Sequence, residues 1–235
     1  MNLFNVLGRL FVLFMDFFSL QKILVLGDSH VKIFIYPLMK LYFPLTKFEV
    51  VSVGGATASG LENPNSKTQA YKIFSEKLQS KKKYDKIIIM LGEVDTGFVI
   101  WYRAKKYGKA VKEMFNMAVK KYTNFINKAA NYGELIVIST PLPTIGDDNN
   151  WGEVANLRKE VKVTQIERTK LTIEFNKEIE LFCKKNNIVF LNLDNESLGP
   201  DGLVKKELLN KNKFDHHYNK SSYAKLINLH LKQLI

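Results

Sequence analysis

The sequence predicts an α/β protein, a three-layer α/β/α sandwich built on one five-stranded parallel sheet. Three observations predict it. Short apolar runs rich in branched side chains alternate five times with longer helical stretches. The first three runs each end in a glycine-containing loop. No linker and no repeat of about 20–50 residues divides the chain, and 235 residues suffice for one domain with a sizeable core.

The elements follow in order. Lys22-Ile23-Leu24-Val25-Leu26 is a short buried strand, Gly27 breaks it, and Asp28-Ser29 opens a turn. Residues 31–42 read as a helix stopped by Pro44. Residues 48–53 form the second strand, followed by Gly54-Gly55 and a loop carrying Thr57, Ser59, Gly60 and Asn63-Pro64-Asn65. Residues 66–82 read as a polar helix. The clearest buried strand is 85–91, ending at Gly92. After a loop and short helix to about Gly108, an amphipathic helix covers about 109–132 and stops at Gly133. Residues 135–140 are the fourth strand, and a loop rich in Pro, Asp and Asn runs from Pro141 to Gly152. Residues 153–186 are helical with a break near Val161-Lys162-Val163, and 188–193 are the fifth strand. A final helix covers about 220–234, capped by Asn219 or Ser221.

Composition narrows the function. The net charge of +12 comes almost entirely from Lys, and the arginines are Arg9, Arg103, Arg158 and Arg168. A nucleic-acid surface relies on Arg for bidentate contacts, so no nucleic-acid partner is expected; the lysines read as a solvated surface. Cys183 is the single cysteine, which excludes an intrachain disulfide, and its helical setting makes it a packed thiol. Residues 1–20 read as an apolar N-terminal helix or extension, and 21–235 as the α/β domain itself. Arg9 and Asp16 interrupt the apolar run, which makes it a poor membrane span and a poor signal peptide. Its wide apolar face suits packing on the domain, dimerisation, or contact with a membrane surface. A cytoplasmic protein, with the inner membrane face as a peripheral partner, is the expectation.

In open parallel sheets, ligands gather outside the carboxyl ends of the strands. Ser29, Gly55 and the Gly92 loop therefore belong at one rim. A serine hydroxyl needs a neighbouring base to become a nucleophile. His30 is too close in sequence to align with Ser29; it reads as a donor to a substrate oxygen or as a stabiliser of the turn. His230 lies in the last helix. His216 and His217, next to Asp215, place a carboxylate beside imidazoles in a loop, as a base and its orienter require. No further His, Cys, Asp or Glu spacing completes a zinc site, so neither metal nor cofactor is expected. Asp28, His30, Glu93 and Asp95 read as loop or substrate support, and Thr57 to Asn65 with Trp101-Tyr102-Arg103 as candidate walls of a substrate groove.

On these residues the chain resembles the SGNH (GDSL-type) hydrolase superfamily, from Lys22 to the last helix. Gly27-Asp28-Ser29 matches the first block, Gly54-Gly55-Ala56-Thr57 the second, and His217-Tyr218-Asn219 the last. The resemblance implies a flavodoxin-like sheet, Ser29 as nucleophile, the Ser29 and Gly55 N–H groups as oxyanion donors, and His217 as base with His216 as the alternative. Two positions depart from the pattern. The third block, Gly-x-Asn-Asp in the family, reads Gly92-Glu93-Val94-Asp95, so the Asn donor is absent. The family's Asp-x-x-His would place its Asp at Phe214, whereas this chain offers Asp215-His216-His217. The implied function is hydrolysis of small acyl esters, O-acetyl groups on a glycan included. The alternatives are an O-acetyltransferase acting on a surface polysaccharide and a catalytically weakened glycan- or partner-binding domain.

Overall fold

In the computed structural model, which describes residues 20–63, 65–147, 161–212 and 215–235, the five strands are β1 (Gln21–Gly27), β2 (Thr46–Ser52), β3 (Lys86–Met90), β4 (Glu134–Ile138) and β5 (Val189–Leu191). All neighbours are parallel, in the order β2-β1-β3-β4-β5. This is the flavodoxin-like order, whose switch point lies between β1 and β3. The register sets Val25 opposite Val50 on one side and Ile88 on the other.

The central strands are apolar on both faces because both faces are covered. Leu24 and Leu26 of β1 join one core with α2 (Ala70–Leu78), α4 (Val111–Ala129) and α5 (Gln165–Lys185), through Phe74, Phe115, Phe125 and Phe175. Ile23 and Val25 point the other way and join a second core with α1 (Pro37–Tyr42) and α7 (Lys220–Leu231), through Met39, Ala224 and Ile227. α3 (Ile100–Tyr107), entered through a π-helical turn at Asp95–Val99, adds Ile100 and Ala104 to the first core, and a short α6 (Asp194–Ser197) follows β5. Among the described residues no helix is long and apolar enough to cross a membrane. Cys183 is fully buried and burial pushes its thiol up to about 12, so it is a packing group.

The expected elements are present with local corrections. The helix expected at 31–42 is divided into a 3-10 segment, Ser29–Ile35, and α1, because Tyr36 is extended before Pro37. The polar helix expected at 66–82 is only α2, since Gln69 adopts a left-handed conformation at its start. In the stretch expected at 153–186, residues 153–160 lie outside the described residues. At the expected break, Lys162 has a left-handed φ of 47°, and α5 starts behind a capping box between Thr164 and Glu167. Asn219 caps α7 by accepting from the N–H groups of Ser221 and Ser222. Residues 1–19 lie outside the described residues, and with them nearly all of the apolar extension.

Two glycines mark where backbone must come close. A Cβ on Gly27 would sit 2.1 Å from the Met90 carbonyl oxygen and 2.4 Å from Val31 Cγ1. Gly92 has φ +132°, and a Cβ there would meet Thr140 Oγ1 at 2.6 Å and Phe175 Cε1 at 2.7 Å.

Two buried carboxyls tie the loops at the carboxyl end of the sheet. Asp95, fully buried, accepts from the N–H groups of Ala58 (2.6 Å) and Ser59 (2.9 Å), so the loop after β3 holds the loop after β2. Asp194 accepts from Asn176 Nδ2 at 2.8 Å, and Asn176 also bonds both backbone groups of Thr140. Burial raises Asp95 to about 6 against its N–H donors, and raises Asp194 to about 7 against its bond from Asn176. A carboxyl raised in the folded state binds its proton more tightly than the unfolded chain does. Its contribution to stability is complete below the ordinary carboxyl range and is lost as pH rises through the raised value. The contribution of these two groups to stability is therefore expected to fall between about pH 4 and pH 7. Asp194→Asn keeps an acceptor for Asn176 and removes the buried charge. It is expected to stabilise the protein by about 1–3 kcal/mol at pH 8 and to be nearly neutral at pH 4, as read by urea unfolding.

Candidate active site

Ser29 stands at the first position after the β1 turn, half-buried, at the switch point of the sheet. Asp28 builds that turn. Its Oδ1 accepts from the His30 backbone N–H (2.9 Å) and from His30 Nδ1 (3.0 Å), capping the 3-10 segment that Ser29 opens. The next loop is pinned to it: Val53 N–H donates to the Gly27 carbonyl, and Ser52 Oγ donates to the Asp28 carbonyl at 2.9 Å. The Gly54-Gly55 turn therefore leaves the sheet beside Ser29, with Gly55 in the left-handed region at φ +69°.

His217 arrives from the other end of the chain. Its Nε2 lies 2.7 Å from Ser29 Oγ, across 188 residues of sequence. Its Nδ1 lies 2.6 Å from Asp215 Oδ1, which also accepts the His217 backbone N–H at 3.0 Å. An ionised carboxylate only accepts, so Nδ1 carries the proton and Nε2 accepts from the serine hydroxyl. The loop is held by three bonds. Thr144 Oγ1 donates to the His216 carbonyl (2.5 Å), Leu142 N–H donates to the buried Tyr218 hydroxyl (2.8 Å), and Asn219 N–H donates to the Leu208 carbonyl (2.8 Å). Of the two candidate histidines, His217 faces Ser29. Asp215 orients it across two residues instead of the usual three. Phe214 lies outside the described residues.

The charges around His217 compete. Burial and then the neighbouring His30 lower its pKa; Asp215 and, more weakly, Glu93 raise it; the net shift is below the ordinary histidine value. For Asp215, burial is the largest influence and acts upward, but the bonds from His217 outweigh it and the carboxyl lies below its usual range. A neutral imidazole bonded to a hydroxyl on one side and a carboxylate on the other can take the hydroxyl proton while its tautomer and orientation stay fixed.

The other expected positions fall into place unevenly. His30 makes the turn-stabilising bond to Asp28, and its ring centroid lies 4.7 Å from that of His217. Glu93 is buried at the start of the helical segment after Gly92, and its charge reaches His217 and Tyr218. Asp95 acts across loops, holding the Ala58-Ser59 turn. Val94 offers no side-chain donor. Of the residues expected to line a groove, Trp101 turns its Nε1 to the Thr96 carbonyl at 2.7 Å. A cavity of about 470 Å³ opens beside Ser29 and His217, walled by Ile33, Ile35, Tyr36, Pro37 and Tyr223, with Lys32 and Lys220 also lining it. The sequence reading missed these residues because the Pro37 break, which turns Tyr36 across to Ser221 (3.1 Å between hydroxyls), was read as continuous helix. The fold also brings His30 to the 216/217 pair, supplying the third imidazole that sequence spacing did not reveal.

No family model matches the sequence, and no curated protein matches it. Solved structures do match by fold. The native aryl esterase of M. smegmatis aligns over 92% of this chain and 100% of its own at 13% identity, with a TM-score of 0.58. A GDSL-like lipase from Bacteroides thetaiotaomicron aligns over 97% of this chain and 96% of its own at 13% identity and TM-score 0.56. A catalytic mutant of an acetylxylan esterase from Geobacillus stearothermophilus aligns over 92% and 94% at 12% identity and TM-score 0.53. With the strand order and the full-length coverage together, the chain has the SGNH (GDSL-type) hydrolase fold.

Proposed function

We propose that this chain is a serine ester hydrolase acting on small acyl esters, O-acetyl esters of glycans among them. The observation that carries the reading is the continuous relay Ser29 Oγ–His217 Nε2 (2.7 Å) and His217 Nδ1–Asp215 Oδ1 (2.6 Å) beside an open cavity. In this mechanism His217 takes the Ser29 proton as Oγ attacks the ester carbonyl. The Ser29 and Gly55 N–H groups stabilise the tetrahedral oxyanion. His217 then protonates the leaving alcohol, and water, deprotonated by the same imidazole, releases the acyl group. Asp215 holds the ring and stabilises the imidazolium that forms.

The cavity supports a modest ester. Its volume falls in the usual range for small-ligand sites, and Ile33, Ile35, Tyr36 and Pro37 offer apolar wall while Tyr and Lys edges reach polar groups. The acetylxylan esterase among the fold relatives makes acetylated sugars the first natural class to assay. The missing oxyanion amide at Val94 predicts a slow enzyme, since one such donor is worth about 10²–10³ in kcat.

Aryl acetates and acetylated xylo-oligosaccharides, each with and without a sugar acceptor, test the reading and separate hydrolysis from acyl transfer. Ser29→Ala is expected to lower kcat at least about 10³-fold, and Asp215→Asn about 10²–10⁴-fold. Wild-type rates equal to those of Ser29→Ala on every ester would refute it. Because His217 must be neutral and its pKa lies below the ordinary value, kcat/KM is expected to hold its plateau below about pH 6.5. A half-maximal point above that pH would contradict the assignment of the base. Val94→Asn is expected to raise kcat about tenfold or more by supplying the absent donor; an unchanged rate would mean that the position does not reach the oxyanion.

A further inference from the structure

The turn at Ser29 and the turn at His217 are built by the same local device. In each, an Asp two residues ahead of a His accepts that residue's backbone N–H and its ring Nδ1 on one carboxylate oxygen. Asp28 does so for His30 (2.9 and 3.0 Å), and Asp215 for His217 (3.0 and 2.6 Å). The sheet then sets the two rings against each other, with centroids 4.7 Å apart. His216 closes the group, with its centroid 4.2 Å from that of His217 and 5.9 Å from that of His30. One ring nitrogen from each of the three lies within 4.8 Å of the other two.

We propose that His30, His216 and His217 form a reversible site for a divalent transition ion of the zinc class, and that occupancy switches the serine off. The chemistry of the donors fits. Imidazole suits zinc and its neighbours, and metal-binding histidines characteristically give their second ring nitrogen to a carboxylate. That is the arrangement already made at His30 and His217. A tetrahedral ion with bonds of about 2.0–2.1 Å sets its ligand nitrogens about 3.4 Å apart, so no pair must close by more than about 1.4 Å. His216 and His217 sit on a loop, where small side-chain rotations supply that movement; a water or Ser29 Oγ would fill the fourth position. Capture needs no proton release at His217, whose Nε2 accepts from the serine hydroxyl and therefore holds a lone pair. The ion would take the electron pair that otherwise removes the Ser29 proton.

The binding claim stands apart from the esterase reading; the inhibition claim rests on it. Titration calorimetry of zinc chloride into untagged, full-length Ser29→Ala protein reads the site without activity. One equivalent is expected to bind, and adding His216→Phe, which keeps the ring stack, is expected to weaken binding about tenfold or more. His30→Asn is expected to do the same and is read beside its melting curve, because His30 is buried. No binding below millimolar zinc, or binding that neither substitution weakens, would overturn the site. In the wild type, zinc is expected to slow aryl acetate hydrolysis, chelator to restore it, and His216→Phe to raise the inhibiting concentration at least about tenfold relative to its own uninhibited rate. Stoichiometric binding without inhibition would overturn the switch. An inactive wild type that still binds zinc through these histidines would instead count against the esterase reading alone.

Discussion

The architecture of the site depends on one hydrogen bond, between Ser29 Oγ and His217 Nε2. Its two ends are supplied by loops 188 residues apart in sequence, so neither residue can secure it alone. What secures it is the docking of each loop onto the sheet. The serine turn is fixed by close approach: Gly27 lies against the Met90 carbonyl, and Asp28 folds the backbone around His30. The histidine loop is fixed by the hydroxyl of Tyr218 on the Leu142 N–H and by the Asn219 cap of α7. The Gly27 approach and the Tyr218 bond are buried, which helps hold a bond of 2.7 Å at a rim open to solvent.

The same rim carries an electrostatic cost. Asp95 and Asp194 join loops that no strand pairing reaches, and both sit where burial opposes ionisation. Their bonds to N–H groups and to Asn176 fix the Gly55 and Thr140 segments at the expense of stability near neutral pH. Order at the site and stability of the fold thus pull in different directions, as at many functional sites.

Much of this was legible from residue pattern. The strand runs, the glycine-terminated loops and the Asn219 cap are local features, and local features survive into the structure. The turn that carries Ser29 was legible because Gly27-Asp28-Ser29 follows a buried strand. The errors arose where meaning depends on long-range contact. Pro37 announced a helix break, yet the apolar periodicity across it outweighed that signal, and with it went the cavity wall at Ile35 and Tyr36. The preference for His217 over His216 rests, in the sequence, on resemblance alone, since adjacent residues of one loop do not reveal which ring turns inward; the position of Ser29, 2.7 Å from His217 Nε2, supplies the geometric ground. Asp95 reads as a loop support, but which loop it supports was not legible, since its partners are 36 and 37 residues away.

His30 shows how one residue can belong to two arguments. Its bond to Asp28 makes it a structural part of the serine turn, while its ring lies close enough to His217 to oppose a positive charge there. Glu93 acts in the opposite sense. The proposed base is therefore held neutral by a balance of neighbours, with burial the largest among them. Burial favours a lone pair on Nε2 at rest, which suits a base that must accept a proton. It also penalises the imidazolium that forms during the reaction, and Asp215 and Glu93 are the groups placed to offset that penalty. With Val94 offering no side-chain donor, the proposed mechanism leaves the oxyanion to backbone N–H groups, while these two carboxylates act on the imidazolium alone.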